Sequence, residues 1–422
     1  MVAAPLCRYP AQTENSCRYE IQPRVLFAAR QTKTDFPARQ EIRVGEPASV
    51  DGVTRTLLRD AAHLDVSTGE IRRGDVFLDG ERIAAGLDDV DETVDCRGSL
   101  LVPGFIDCHT HVALTTALSG DSIDLPRSTR QLSAVPVLRT LLNLGITTVR
   151  DAWGADAGLR HAVEAGWIDG PQLLISLRQV GTTGGIGDHW TPSTGPLDLL
   201  GDPSMPDPVF DGPDDARAAV RRMVRAGADW IKAAITGSIA AGTGVHDVQF
   251  TPDEMRALVE EGSARGRDVM VHAHGARGAE LAARCGARSI EHGVYLDEAA
   301  VTAMAANDTF YVPTLSCSGI PEHLRSVRLA LDAGVPIAMG TDNPVTPHAD
   351  ALRELSLLSD AGLGPVGAIR AATLDAARLL RLDHDRGEIA VGKRADVVLL
   401  DDEDVNVKAR VKAVWRNGKR HL

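Results

Sequence analysis

The stretch LVPGFIDCHTHV, residues 101–112, ends an apolar run with two histidines separated by one residue. Side chains of a strand alternate between its faces, so His109 and His111 point to the same side, with Asp107 beside them. Two imidazoles on one face suit a divalent metal, because neutral imidazole is a common ligand of zinc and similar ions. Solvated histidines at a strand end would give the same pattern, so the rest of the chain has to supply further ligands.

Regular strands must position these histidines, and the chain after residue 100 alternates apolar runs with helical patterns. Eight strand–helix units over roughly 260 residues match the size of a (β/α)8 TIM barrel in the α/β class. An open doubly wound sheet is the competing fold, but no GxGxxG turn follows the first strand. The runs predicted as strands are LLVPGFIDCH, ITTVRD, PQLLISL, DWIKAAIT, DVMVHAHG, RSIEHG, TFYVPTL and VPIAMGTD.

The flanks of this barrel differ from it in pattern. Residues 53–100 and 385–422 show short strands around polar turns, which predicts a small β-sandwich domain built from both flanks of a barrel at 101–384. Residues 1–52 have little apolar periodicity and are interpreted as an irregular N-terminal extension.

Active-site residues of such barrels lie at the carboxyl ends of the strands. Those ends carry His109, His111, Lys232, His272, His274, His292 and Asp342. Taken singly, Lys232 could be a side chain reaching solvent from a strand edge, Asp342 a helix cap and His292 a core histidine. His274 lies one step beyond His272 on the same face, which favours substrate contact over ligation. Together, these residues predict a metal site.

The signatures resemble those of the amidohydrolase superfamily of metal-dependent hydrolases, from about residue 55 to the C-terminus. LLVPGFIDCHTHV, GITTVRD, IKAAITG, VHAHG, SIEHG, VPTL, GTDN and AATLDAARLLRL…GEIAVGKRADVVLLD occur in the usual order. The strand-four lysine and the VHAHG…SIEHG pair are most similar to the Xaa-Pro dipeptidase and imidazolonepropionase-like branch.

This resemblance implies a binuclear centre with zinc as the expected metal. His109 and His111 would hold one ion with Asp342, and His272 and His292 the second. Lys232 would be carboxylated into a carbamate that bridges both ions. A metal-bridging hydroxide would attack an amide-type C–N bond of a dipeptide, N-acyl amino acid or cyclic amide. Asp342 would transfer the proton, with His274 as a second catalytic residue.

Two departures from the family pattern bear on the reaction. Deaminases of the family carry a glutamate three residues after the strand-five ligand, where this chain has Gly275. In TTGGIGDHW, Ile186 occupies the place of a histidine found in relatives of the branch. A mononuclear deaminase or ring-opening enzyme, with His109, His111, His272 and Asp342 as ligands, remains an alternative. A non-catalytic barrel subunit is a more remote one.

The remaining expectations concern partners and location. The net charge of −13 argues against nucleic acid or an anionic membrane as partner, which leaves a small-molecule substrate. Scattered cysteines and no secretory signal favour the cytoplasm, and a homo-oligomer is left open. Residues after barrel strands that could face the substrate are Arg150, His189, Trp190, His246, Tyr295 and His348.

Overall fold

Residues 54–114, 126–198, 202, 205–239, 241–318 and 320–422 are described by a computed structural model of the protein. The irregular extension predicted for residues 1–52 lies outside the described residues, so it stays a prediction.

Strands occur in the central region and in both flanks of the chain. In chain order they are β1 (Arg55–Leu64), β2 (Ile71–Asp79), β3 (Arg82–Ala84), β4 (Glu92–Asp95), β5 (Leu100–Pro103), β6 (Phe105–Thr110), β7 (Ile146–Asp151), β8 (Gln172–Ile175), β9 (Gln179–Val180), β10 (Trp190–Thr191), β11 (Gly195–Pro196), β12 (Ile231–Ala234), β13 (Val269–Gly275), β14 (Ser289–Tyr295), β15 (Phe310–Val312), β16 (Val397–Leu400), β17 (Val411–Arg416) and β18 (Lys419–Arg420).

Helices follow most of the central strands. They are α1 (Arg127–Asn143), α2 (Ala157–Glu164), α3 (Pro213–Arg225), α4 (Pro252–Ala264), α5 (Ala276–Arg284), α6 (Glu298–Ala306), α7 (Pro321–Asp332), α8 (Arg353–Leu358), α9 (Gly364–Ala371) and α10 (Leu374–Leu379). Within the described ranges, no helix is both long and apolar enough to cross a bilayer.

Two parallel sheets carry the strand ends predicted to form the site. One has the order β15-β14-β13-β12-β9 and the other the order β6-β7-β8. Every residue of β7 and of β13 is buried, as expected for parallel strands covered by helices on the outside. Because the strands run in parallel, their carboxyl ends lie at the same side of the structure.

The eighth predicted strand, at 335–342, is not assigned as a strand. Its backbone nevertheless lies between the two sheets: the N–H of Cys108 in β6 donates to the Met339 carbonyl, and the N–H of Ala338 donates to the Tyr311 carbonyl in β15, both at 2.9 Å. Among the described residues, the parallel central strands are therefore assigned to two sheets with this segment between them, and no closed barrel is assigned.

The first predicted barrel strand is split in two. Leu100–Pro103 pairs with the flanking sheet as β5, and only Phe105–Thr110 belongs to the central sheet as β6. Gly104 separates them, and a Cβ there would lie 2.3 Å from Thr147 Oγ1, so only glycine fits. The domain boundary predicted after residue 100 thus falls inside β5.

The two flanks share one eight-stranded sheet of order β18-β17-β16-β5-β1-β2-β3, with β4 also paired to β1. Leu58, Leu78, Leu101 and Trp415 are fully buried in its core. Flanking strands do come together as the sequence predicts, but the two-layered sandwich is not confirmed.

Candidate metal centre

His109 and His111 at the end of β6 are each held through Nδ1. His109 Nδ1 lies 2.6 Å from Glu291 Oε2, and His111 Nδ1 lies 3.0 Å from the Trp153 carbonyl oxygen. An ionised carboxylate and a carbonyl can only accept hydrogen bonds, so each Nδ1 donates. Both Nε2 lone pairs are therefore available to a ligand.

Asp342, the last residue of the segment 335–342, faces these two histidines. Its Oδ1 lies 3.2 Å from His109 Nε2 and 2.9 Å from His111 Nε2. Burial would raise the pKa of this carboxyl, but His109 and His292 beside it hold the pKa well below its usual range. The Nε2 lone pairs of His109 and His111 thus face an ionised carboxylate oxygen, and none of these three atoms carries a hydrogen to donate. A cation, whether a metal ion or an added proton, belongs between them.

A buried ion pair lies behind His109. Arg150 in β7 and Glu291 in β14 are both fully buried, with Nη2 of Arg150 3.0 Å from Glu291 Oε1. Burial acts to raise the pKa of Glu291, but Arg150 and His109 outweigh it and lower the pKa to about 2. Arg150 was predicted to face the substrate; the structure places its guanidinium behind His109, where Cys108, Ser289 and Glu291 accept its hydrogen bonds.

Lys232 lies on β12 with 1% of its surface exposed. Its Nζ is 3.5 Å from His109 Nε2. Burial lowers the pKa of this amine to about 8, against the attraction of Glu291 and Asp342. The lysine therefore reaches into the same cluster as the histidines and does not extend to solvent.

His272 and His292 approach from β13 and β14, with ring centroids 4.6 Å apart. His272 Nε2 lies 3.2 Å from the Gly237 carbonyl, which leaves its Nδ1 available. His292 Nδ1 lies 2.9 Å from Thr314 Oγ1 and 3.9 Å from Asp342 Oδ2. Burial lowers the pKa of both histidines well below its usual value, so both are neutral and suited to ligation.

His274 borders this cluster. Its ring stacks on that of His292 at a centroid distance of 5.2 Å, and burial lowers its pKa to about 4. Its Nδ1 is buried without a hydrogen-bond partner among the described residues. A substrate or water group could use this nitrogen.

The residues present fit a metal. His109, His292 and Asp342 offer ligand atoms that all lie within 4.8 Å of one another. His111 contacts Asp342, Lys232 contacts His109 and His272 packs on His292, so the predicted ligands form one cluster. Imidazole nitrogens and carboxylate oxygens are the donors that zinc and similar ions take. The division of these ligands between two ions stays a prediction.

Two of the predicted substrate residues lie beyond β9. His189 is half-buried, and its ring is nearly parallel to that of Trp153 at a centroid distance of 6.2 Å. Trp190 is 59% exposed. Trp153 connects this region to the metal centre because its ring lies edge-on to His111.

The other predicted substrate residues are more dispersed. The rings of exposed His246 and half-buried Tyr295 lie 5.0 Å apart, beyond β12 and at the end of β14. His348 is buried against the backbone of His111, and burial lowers its pKa to about 4. Whether any of them binds the substrate stays a prediction.

Besides Glu291, Glu354 and Trp153 were missed from the sequence. Glu354 is fully buried and accepts from the N–H groups of Leu315 at 2.7 Å and Ser316 at 2.8 Å. It thereby holds the turn that presents Thr314 to His292. Trp153 lies two residues past β7, so reading one turn beyond each strand end would have found it. No sequence signal marks Glu354.

Gly340 leaves the space that His109 occupies. A Cβ at this position would lie 2.4 Å from Val312 Cγ1 and 2.8 Å from His109 Cβ. We expect Gly340→Ala to displace His109 and weaken metal binding by 10-fold or more, the usual order for disturbed ligand support. Competition with a chromogenic chelator measures it. Gly74→Ala, where a Cβ meets nothing within 4 Å, is the control, and equal metal affinity in both variants would contradict this account.

A cluster of possible metal ligands lies at the carboxyl ends of parallel strands, and residues 100–421 match the Amidohydrolase family. The chain belongs to this family, whose members and neighbours support metal-dependent hydrolysis of amide C–N bonds and imply the α/β TIM-barrel fold.

Individual relatives agree with this assignment. Ochratoxinase of Aspergillus niger is 30% identical over 368 residues, which cover 76% of each chain. Imidazolonepropionase of Mycolicibacterium smegmatis is 28% identical over 397 residues, covering 83% of this chain and 91% of that protein. A prolidase crystallised with N-methylphosphonate-L-proline is similar with a TM-score of 0.79 and 34% identity, over 87% of this chain and 99% of that one. The resemblance to this branch of the family is confirmed.

Proposed function

We propose that the protein hydrolyses the amide bond of a dipeptide or N-acyl amino acid at a binuclear centre, with zinc as the metal and Lys232 carboxylated as the bridging ligand. The observation that carries the proposal is that two histidine nitrogens without hydrogen lie next to the carboxylate oxygen Oδ1 of Asp342. His109 Nε2 and His111 Nε2 lie 3.2 and 2.9 Å from it, while both Nδ1 atoms are held by acceptors. Such support behind a ligating histidine is the usual arrangement in metal sites.

Divalent ions, when bound here, would activate water and polarise the scissile carbonyl. Side chains of the protein would transfer the proton and bind the substrate. Asp342 directs Oδ1 to His109 and His111, whereas its Oδ2 faces His292, with 3.9 Å between Oδ2 and His292 Nδ1. Oδ2 is therefore placed to take the proton of the attacking water and pass it to the leaving nitrogen. His274, with its unpaired Nδ1, is placed to hydrogen-bond the substrate.

A cleft of about 300 Å³ supports a substrate with a bulky group next to the amide. It adjoins the metal centre through Trp153, which contacts His111. Apolar and charged side chains share its walls, among them Trp153, Arg178, Asp188, His189, Met205 and Val209. The similar prolidase was crystallised with N-methylphosphonate-L-proline, which favours an amide whose nitrogen belongs to an amino acid.

Deamination at a mononuclear site is disfavoured because there is no room for a side chain at Gly275, where deaminases of the family carry a glutamate. A Cβ there would lie 2.8 Å from the Val245 carbonyl oxygen and 3.0 Å from His246 Cα, so no glutamate fits in this position. Opening of a cyclic amide remains the second candidate because imidazolonepropionase is a relative.

Elemental analysis and a substrate panel test the proposal together. We expect close to two divalent ions per chain, loss of activity on chelation and its return with zinc. The panel contains dipeptides, N-acyl amino acids, lactams and aromatic heterocycles with an exocyclic amine, and we expect turnover of the first two classes. Activity in metal-free protein would refute metal dependence. One tightly bound ion with turnover of lactams alone would favour the ring-opening alternative.

A further inference from the structure

We propose that Arg150 and Glu291 are positioning residues whose buried ion pair holds the imidazole of His109 with Nε2 directed into the metal site. The three residues lie on β7, β14 and β6, so the pair connects strands of both parallel sheets. The inference rests on the proposed metal site for its functional consequence, but the orientation of the ring can be tested without metal.

The contacts of Glu291 direct its carboxylate to Arg150 and His109. Oε1 accepts from Arg150 Nη2 at 3.0 Å and from the Ser289 hydroxyl, and Oε2 faces His109 Nδ1 at 2.6 Å. Since an ionised carboxylate only accepts, it fixes the hydrogen of His109 on Nδ1. The Nε2 lone pair then faces Asp342 and Lys232.

Arg150 supports the same histidine from the backbone side. Its Nε donates at 2.6 Å to the carbonyl of Cys108, the residue directly before His109. Nη1 donates to Ser289 Oγ at 3.2 Å, and the guanidinium lies 4.5 Å from the centre of the Trp230 ring. One side chain thus holds the backbone next to His109 and the carboxylate that binds its ring.

Stability alone does not explain such a pair. Desolvating two charges often costs as much as their attraction returns, and apolar replacements of buried ion pairs are frequently neutral or stabilising. His111 is held by the Trp153 carbonyl and His292 by the Thr314 hydroxyl, with no buried charge. The ion pair is therefore best explained by the orientation it imposes on His109.

Removing both charges separates orientation from stability. Arg150→Met alone leaves the buried carboxylate of Glu291 without the guanidinium that balances its charge, and is expected to unfold at lower temperature. The double variant Arg150→Met/Glu291→Gln removes both charges and is expected to regain most of that melting temperature. It should still lose metal 10- to 100-fold more readily to a chelator, the usual effect of losing support behind a ligand.

Glu291→Asp is a second variant that keeps the ion pair. Its carboxylate, shorter by one methylene, is withdrawn from His109 Nδ1 while its negative charge stays near the guanidinium of Arg150. We expect it to fold and to weaken metal binding as the double variant does. In metal-free protein labelled with ¹⁵N-histidine, the His109 signal, assigned by its loss in His109→Gln, should report hydrogen on Nδ1 in the unaltered chain and a tautomer mixture in both variants.

Arg288→Met is the matched control. Arg288 also lies over an aromatic ring, 4.8 Å from the centre of Phe310, and donates to the carbonyls of Arg378 and Leu379, away from the metal cluster. It should change stability without changing metal affinity or the His109 signal. An unaltered tautomer and metal affinity in Glu291→Asp or the double variant would overturn the inference. Metal-free active protein would instead overturn the proposed function and leave the NMR result standing.

Discussion

Asp342→Asn is expected to lower turnover by about 10²-fold or more, the usual scale of general acid–base catalysis. Asparagine keeps the size of the side chain and one oxygen for the metal side, where Oδ1 now faces His109 at 3.2 Å and His111 at 2.9 Å. It loses the ionised Oδ2 that is placed to carry the proton. Metal occupancy should fall much less than turnover, because the remaining ligands are unchanged.

Turnover in the fully metallated variant is the decisive measurement. Asp308→Asn is the control, since Asp308 is an exposed aspartate with a left-handed backbone, φ 49°, close to the 54° of Asp342. It should retain full activity. The acidic limb of the pH–rate profile should change in Asp342→Asn alone. Nearly normal turnover there would mean that the proton passes elsewhere, and His274→Gln would be the next variant to measure.

The position of residues at the carboxyl ends of predicted strands indicated which side chains the structure brings together at the metal centre. The carboxyl ends of parallel strands share one side, so His109, Lys232, His272, His292 and Asp342 could be expected to meet although they are distant in sequence. Their contacts follow from this topology and from the alternation of side chains along each strand.

Arg150 shows what alternation leaves undetermined. The alternation gives the face on which a side chain lies but not its depth, which depends on the register between neighbouring strands. In the structure Arg150 is level with Leu174 of β8, and Asp151 is level with Thr110 of β6. That register places the guanidinium below His109 and not at the mouth. Glu291 was missed for the same reason, since its role depends on the pairing of β14.

The split between β5 and β6 coincides with Pro103-Gly104, a turn signal inside the apolar run at residues 100–106 that the strand prediction passed over. The pairing partners of its two halves differ: β5 pairs with β1 and β16, and β6 with β7. The close approach of Thr147 to Gly104 then requires a residue without a side chain. Long-range pairing of this kind is not encoded in a local pattern.

Lys232→Ala is expected to abolish most of the activity and to lower the metal content. The side chain is 1% exposed with Nζ 3.5 Å from His109 Nε2, and an ammonium there could not ligate a metal. A carbamate on this nitrogen would replace the cation with two anionic oxygens, so its loss removes a ligand. Short carboxylic acids should partly restore metal content and turnover by entering the space of the missing side chain.

Lys412→Ala is the control for Lys232→Ala, because Lys412 is an exposed lysine of the flanking sheet whose Nζ donates to Ser99 Oγ. It should keep both metal and activity. Incubation with ¹³C-bicarbonate should give a carbamate ¹³C signal in the unaltered and Lys412→Ala enzymes and none in Lys232→Ala. Absence of that signal from the metal-loaded unaltered enzyme, or full metal content in Lys232→Ala, would show that the lysine does not bridge the ions.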